Sequence, residues 1–521
     1  MNRKIISLVA GSSIVLALLL ASCGPAAVEK EKAIQPEEEV IQPEEEEMAK
    51  AEETDKVKEA EMARPASHEV ADKQTLQKWA LKLIEFGEGN PVFPGIRQAG
   101  TEADDRATQW LEDMFKSFGL EDVHREPVPI TGWQPSEYRL TVHTANGDVP
   151  FDAWPIFYAK FFDTGSVTAE MVYVGSSPIG DMAGKIVVAD MISPMAIGYD
   201  GLKAVSLETY DPDNTLQPGE RHRYWTFTNQ DVYERAAAGG AVAFIGINVD
   251  KADDGRYFQN AGGVKADPLG EWWPTLGRLP GLYVSRATGE KLRPLAQAGA
   301  SATVVSAGTN PRTQTYNVVG ILPGQSEKVI QVQSHSDGGA VNDAAGVTGV
   351  LALAEYYSKA KLSDRKKTLQ FVITAGHFIS GVGMRTFIKE HTATLKQNVL
   401  VNLTIEHHGK HYDLVDGKLI DSGLPCPLCL YTSNNDWLSL LSDAVHRYDL
   451  RRTFILPYSG PGAGEGAHWH WATSLPSIFI VTPVQYMQST VDTEEKLDLE
   501  RTRSVIAAFA YIIDRLDDTL E

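Results

Sequence analysis

One histidine and two aspartates, His335, Asp337 and Asp343, fall at a change of local pattern. Just before them, Val329-Ile330-Gln331-Val332 is a β-branched run that reads as a strand. Just after, Gly346, Val347, Val350, Leu351 and Ala354 recur at helical spacing. The polar residues therefore occupy a strand-to-helix turn, where open α/β sheets place their ligands. Imidazole with carboxylate is a hard-to-borderline donor set that suits a divalent metal. The competing reading is structural: Asp343 is only the helix N-cap, a position Asp favours. Nine of the 13 histidines lie at or beyond His335. His377 follows the run Leu369–Thr374, His407, His408 and His411 follow Asn398–Ile405, and His468 and His470 precede Ser477–Val481. A lone histidine is ordinarily a core or surface residue, but several at one sheet edge point to a metal site.

The elements that must position these residues alternate in type. Strand-like runs at Tyr316–Ile321, Lys328–Gln333, Leu369–Thr374, Asn398–Ile405 and Ser477–Val481 are mostly separated by helical patterns. This predicts an α/β fold with a mostly parallel mixed sheet flanked by helices. Val505, Ile506, Phe509, Ile512, Ile513 and Leu516 form the apolar stripe of a closing helix. Another helix is predicted over Thr101–Gly119, with Gly119 as its stop. Between 148 and 306 the texture changes to short strands broken by Pro and Gly, around Met171–Gly175, Lys185–Ala189 and Ala241–Gly246. That predicts a separate, inserted β-rich domain.

The N-terminus carries a different message. Arg3 and Lys4, an apolar run through Leu20, and Ala21-Ser22-Cys23 read as an export signal over 1–22. Leu20-Ala21-Ser22-Cys23 resembles a bacterial lipobox, which implies lipidation of Cys23, a membrane anchor and an extracytoplasmic place in a bacterial cell envelope. Residues 23–70 form an acidic tether with an echoed IQPEEE segment. From Glu29 to Arg64 it holds 14 acids and 6 bases, so it supplies 8 of the chain's 21 net negative charges. Such a stretch buries too little apolar surface to fold. The acidity and the lack of a basic block argue against nucleic acid as a partner. With Cys23 lipidated, Cys426 and Cys429 remain as a pair, readable as a local disulfide or, less readily, as part of a metal site.

Further motifs carry a resemblance. Arg97-Gln98-Ala99-Gly100-Thr101, Tyr316-Asn317-Val318-Val319-Gly320, His335-Ser336-Asp337, Gly339 to Gly346 and Asp492-Thr493-Glu494-Glu495-Lys496-Leu497-Asp498 resemble the zinc-dependent aminopeptidases that include bacterial secreted leucyl aminopeptidases and glutamate carboxypeptidase. Gly184 to Val188 and Ala237 to Ala241 resemble the protease-associated domain often inserted in them. The resemblance implies a peptidase-like domain in two parts, 71–147 and 307–521, around an insert at 148–306. It implies His335 as a zinc ligand, Asp337 as the carboxylate that orients His335, and Asp343 as a bridge between two metal positions.

Departures from the family pattern limit that implication. The family's paired glutamates, a general base and then a ligand, are replaced by Gly376-His377, which leaves His377 to bind metal. The family's next Asp ligand has Glu406 as its nearest stand-in, followed by His407, and a C-terminal ligand histidine is replaced by Gln488. His468 is a further substitute ligand, and Glu406 or Glu465 is left to act as base. One zinc is expected, with room for a second. A positioned acid–base group supplies ~10²–10⁴-fold in rate, so the missing acid matters. The expectation is an aminopeptidase-type hydrolase acting on a peptide or small amide. The alternatives are another reaction on the same scaffold or an inactive pseudo-peptidase that binds a peptide or protein. A glutaminyl cyclase-like enzyme is disfavoured because it too wants an acid at Gly376.

Overall fold

Thr101 shows how local sequence starts an element here. Its hydroxyl caps the helix Glu102–Ser117 by accepting the Asp104 N–H, and Glu102, Asp104 and Asp105 in the first turn complement the positive end of the helix dipole. Ala107, Leu111 and Phe115 bury its other face. The computed structural model describes residues 68–521 apart from 178–179, 193–195, 224–229, 259–262, 267–271, 340, 459–463 and 483. The export signal and Cys23 lie outside the described residues, as does the tether up to residue 67. The last residues assigned to the tether are packed: His68 is buried, with Nδ1 2.5 Å from Tyr448 Oη and Nε2 3.0 Å from Asp514.

In chain order the site-bearing layer comprises α1 (Lys73–Gly87), α2 (Glu102–Ser117), β1 (Glu121–Thr131), β2 (Arg312–Leu322), β3 (Ser326–His335), α3 (Asn342–Ser358) and β4 (Lys367–Thr374). It continues with α4 (Val382–Asn398), β5 (Val399–Ile405), β6 (Leu428–Thr432), β7 (Thr453–Pro457), α5 (Glu465–Thr473), β8 (Ser477–Val481) and α6 (Leu499–Thr519). The sheet order is β1-β2-β4-β3-β5-β8-β6-β7, with the short strand Glu208–Tyr210 at the far edge. The four central strands β4, β3, β5 and β8 are parallel, and antiparallel pairs flank them, so the sheet is mixed. Parallel pairing brings the carboxyl ends of β4, β3 and β5 together.

Helix α3 is buried on nearly every side from Asn342 to Ala354, as expected for a helix between a sheet and outer helices. Gly346 lets it approach closely, because a Cβ there would stand 2.5 Å from the Ile405 carbonyl oxygen. That approach brings the first turn of α3 to the end of β5.

A second mixed sheet of eight strands begins with Gln134–Thr144, which pairs antiparallel with Ser301–Thr309. Its strands thus span 134–309. This region is joined to the part of the chain that carries the first sheet at several places. Glu208–Tyr210 pairs with β7, and Phe258 N–H donates to the Gln488 carbonyl at 2.6 Å. Aromatic rings fill the seam: Phe258 lies 3.8 Å from Phe157, 5.2 Å from Phe93 and 5.8 Å from Phe378 between centroids.

Candidate metal centre

His335 ends β3, Asp343 lies in the first turn of α3, and Glu406 and His407 follow β5 directly. His377 sits three residues beyond β4, and Glu465 opens α5. All but His377 are at most 4 % exposed.

Among the described residues, donor atoms of His335, Glu406 and His407 lie within 4.8 Å of one another. Asp343 joins them: its Oδ1 is 2.6 Å from His407 Nε2 and 3.9 Å from His335 Nε2. The tautomer of His335 is set by its Nδ1, which donates to the Asp337 carbonyl at 2.9 Å and leaves the Nε2 lone pair facing Asp343. Glu406 accepts N–H groups of Glu465 and Gly466 on Oε1, at the start of α5, while its Oε2 has no hydrogen-bond partner. His407 Nδ1 and Glu465 Oε2 also lack one. Buried orphan lone pairs cost about 1–3 kcal/mol each, and several converging on one point form a cation's donor set. The residues present fit a zinc ion.

The electrostatics follow from burial. Burial pushes His335 down to about 4, so this imidazole is neutral, the form that ligates. Burial raises Glu406 to about 6 and, with the Glu406 charge beside it, holds Glu465 well above the usual carboxylate range. Burial opposes the charge on Asp343 too, but His407 and His335 outweigh it and its pKa falls. Burial disfavours a charged His407, yet Asp343 and Glu406 hold its pKa above the ordinary value.

Several expected roles change. Asp337 does not orient His335 through its carboxylate; that carboxylate accepts the N–H groups of His377 (2.9 Å) and Phe378 (3.2 Å), and the Asp337 backbone carbonyl holds His335 instead. Asp337 thus shapes the loop after β4. His377 stands outside the close donor group. Its ring stacks flat on His335 at 4.1 Å and 9°, and its Nδ1 faces Glu465 Oε2 at 3.9 Å. His468, on α5, also lies outside that group. His407, ranked behind Glu406 from sequence, stands with it. Cys426 and Cys429 are buried and are not joined in a disulfide.

The N-cap reading of Asp343 also gives way. Its Oδ2 accepts from Gly339, and the N–H groups of Val341 and Asn342 donate to Asp492 at 3.0 Å. Asp492 therefore does the capping from 150 residues away, which sequence spacing cannot reveal. Arg97 is the second residue without an assigned role. Fully buried, it donates to the carbonyls of Ser336 (2.9 Å) and Leu83 (3.2 Å), and its charge acts on Asp343, Asp337 and Asp492. The only sequence signal for either was its place in a motif.

Phe378 closes the site, edge-on to His335 at 5.6 Å and His377 at 4.9 Å, backed by Phe258 from the second sheet's region.

No protein-family model matches this sequence, and no curated protein does. Solved structures do match. An aminopeptidase from Aneurinibacillus sp. strain AM-1 is 21 % identical, with TM-score 0.55, over 85 % of this chain and 95 % of that one. A peptidase M28 precursor from Shewanella amazonensis is 17 % identical, with TM-score 0.59, over 86 % and 98 %. BSAP, a zinc aminopeptidase from Bacillus subtilis, is 13 % identical, with TM-score 0.59, over 86 % and 95 %. The chain has the fold of the zinc aminopeptidases.

Proposed function

We propose that this chain is a zinc-dependent hydrolase of peptide-like amide bonds, lipid-anchored through Cys23 on the outer side of a bacterial membrane, with an insert of protease-associated type. The observation that carries the reading is the convergence of His335, Asp343, Glu406 and His407 at one edge of a sheet of aminopeptidase fold. These four would hold a single ion. When bound, zinc supplies Lewis-acid polarisation of the scissile carbonyl. Burial and Glu406 favour the neutral form of Glu465, and the positive charge of a bound ion would favour its carboxylate. In that form Glu465, whose Oε1 accepts from Thr374 at 2.6 Å while Oε2 has no hydrogen-bond partner, takes the proton of the attacking water and returns it to the leaving nitrogen. Water adds to the carbonyl carbon, the C–N bond breaks, and acid and amine leave.

A second reading, a pseudo-peptidase that binds a peptide or protein without cutting it, is favoured by Gly376, which offers no carboxylate, and by the aromatic cover over the site. Zinc analysis with an aminoacyl-anilide panel separates the two. About one zinc at this centre and turnover lost in His335→Ala and Glu465→Gln support the hydrolase. Zinc with no turnover on any substrate supports the binding protein, and neither zinc nor turnover sinks the hydrolase.

A further inference from the structure

Away from this centre, two histidines approach one buried carboxylate at the junction of β1 and α4. His124 and Glu126 alternate along β1 and so share a face, while Glu390 and His391 lie in the middle of α4. His391 Nε2 is 2.8 Å from Glu126 Oε1, and His124 Nε2 is 3.2 Å from the same oxygen. His124 Nδ1 is 2.7 Å from the Asp122 carbonyl, which only accepts, so Nδ1 carries the proton of a neutral ring. The Nε2 lone pair of that neutral ring then faces a carboxylate oxygen, a repulsive arrangement unless a cation lies between them. Glu126 is 8 % exposed and its Oε2 has no partner. Donor atoms of Glu126, Glu390 and His391 all lie within 4.8 Å of one another. Ligands of a tetrahedral zinc, at ~2.0–2.1 Å from the metal, stand about 3.3 Å apart. Glu126 Oε1 is 2.8 Å from His391 Nε2 and 3.2 Å from His124 Nε2, and His124 stands beside the close group of Glu126, Glu390 and His391 and would have to turn toward it to ligate. Phe387, packed 4.4 Å from the His391 ring, gives the cluster an apolar wall, and His124 and His391 are open enough to solvent for an ion to enter.

We infer that His124, Glu126, Glu390 and His391 form a second, separate zinc site that clamps α4 to β1. Because α4 follows the loop that carries His377 and Phe378, the clamp steadies one wall of the first centre from outside it. The competing occupant is a second proton on His124, which would let it donate to Glu126.

The test is equilibrium dialysis of the purified full chain against micromolar free zinc, with bound metal counted per chain. The double variant Glu126→Gln/His391→Asn is expected to bind one zinc equivalent fewer than wild type. Asp343→Asn, which disables the first centre, is expected to keep that equivalent. Glu390 is exposed, so Glu390→Gln leaves the fold intact should the double variant unfold; it is expected to weaken the same equivalent about 10-fold. Unchanged zinc content and affinity in both the double variant and Glu390→Gln overturns the site in favour of the proton. Loss of the equivalent in Asp343→Asn overturns it too, since one centre then accounts for all the metal.

Discussion

Gly376 stands where the resemblance implies a catalytic glutamate, and the backbone explains why a side chain is costly there. Its φ is +65°, in the left-handed region, where an L-residue costs roughly 1–2 kcal/mol. A Cβ would stand 2.5 Å from Val382 Cγ1 and 3.1 Å from Ile379 Cγ1. Both neighbours are buried in the seam core, and the Gly376 carbonyl accepts the N–H groups of Ile379 and Val382, so the turn cannot readily open. Overpacking of this kind costs about 1–3 kcal/mol, which brings the total for Gly376→Ala to about 2–5 kcal/mol. Urea unfolding of the full chain followed by circular dichroism should show a lower midpoint at unchanged slope. A midpoint corresponding to less than ~0.5 kcal/mol of change, within the range of ordinary surface substitutions, would refute the steric argument. The functional corollary is that Gly376→Glu fails to raise turnover. A gain of ~10²-fold or more, the lower end of what a positioned base supplies, would show that the loop accepts the missing acid after all.

Zinc at a hundred times its dissociation constant should stabilise the wild-type chain by about 2.7 kcal/mol, and removal of His335 should abolish the share due to the first centre; calorimetry at fixed zinc measures both. Asp492→Ala should cost about 1–2 kcal/mol, because the Val341 and Asn342 N–H groups lose their acceptor, and it should weaken zinc binding by loosening the turn that carries Asp343. Asp104 gives a pH signature. Burial raises it from 3.8 to about 6, so the folded state retains its proton longer than the unfolded chain does. Its contribution to stability is full below pH ~4 and is lost as pH rises through 6, a fall of about 3 kcal/mol. Asp104→Asn should flatten the unfolding free energy across that window, and an unchanged pH profile would count against the assignment.

The central layer was legible because local pattern and tertiary role coincide there. Apolar runs bounded by Gly and polar turns marked β2 to β5 and β8, and the long apolar stripe marked α6. The same reading ended the tether at residue 70, although His68 is packed against Asp514, a pairing across 446 residues that carries no local signal. The short strand Glu208–Tyr210 and the capping of α3 by Asp492 were hidden for the same reason.

By itself the sequence determined which donors are available, because residue type fixes chemistry: a histidine at the end of β3, carboxylates after β5 and at the head of α5, and glycine where an acid was expected. Which of them act together was decided only by the tertiary structure. Three parallel strands bring their carboxyl ends to one edge, Gly346 seats α3 against β5, and side-chain direction then selects. His407 turns into the group with Asp343, His377 lies flat on His335 instead of pointing inward, and Asp337 spends its carboxylate on backbone N–H groups. Direction in space, unlike residue type or spacing, is set by packing partners far away in the chain.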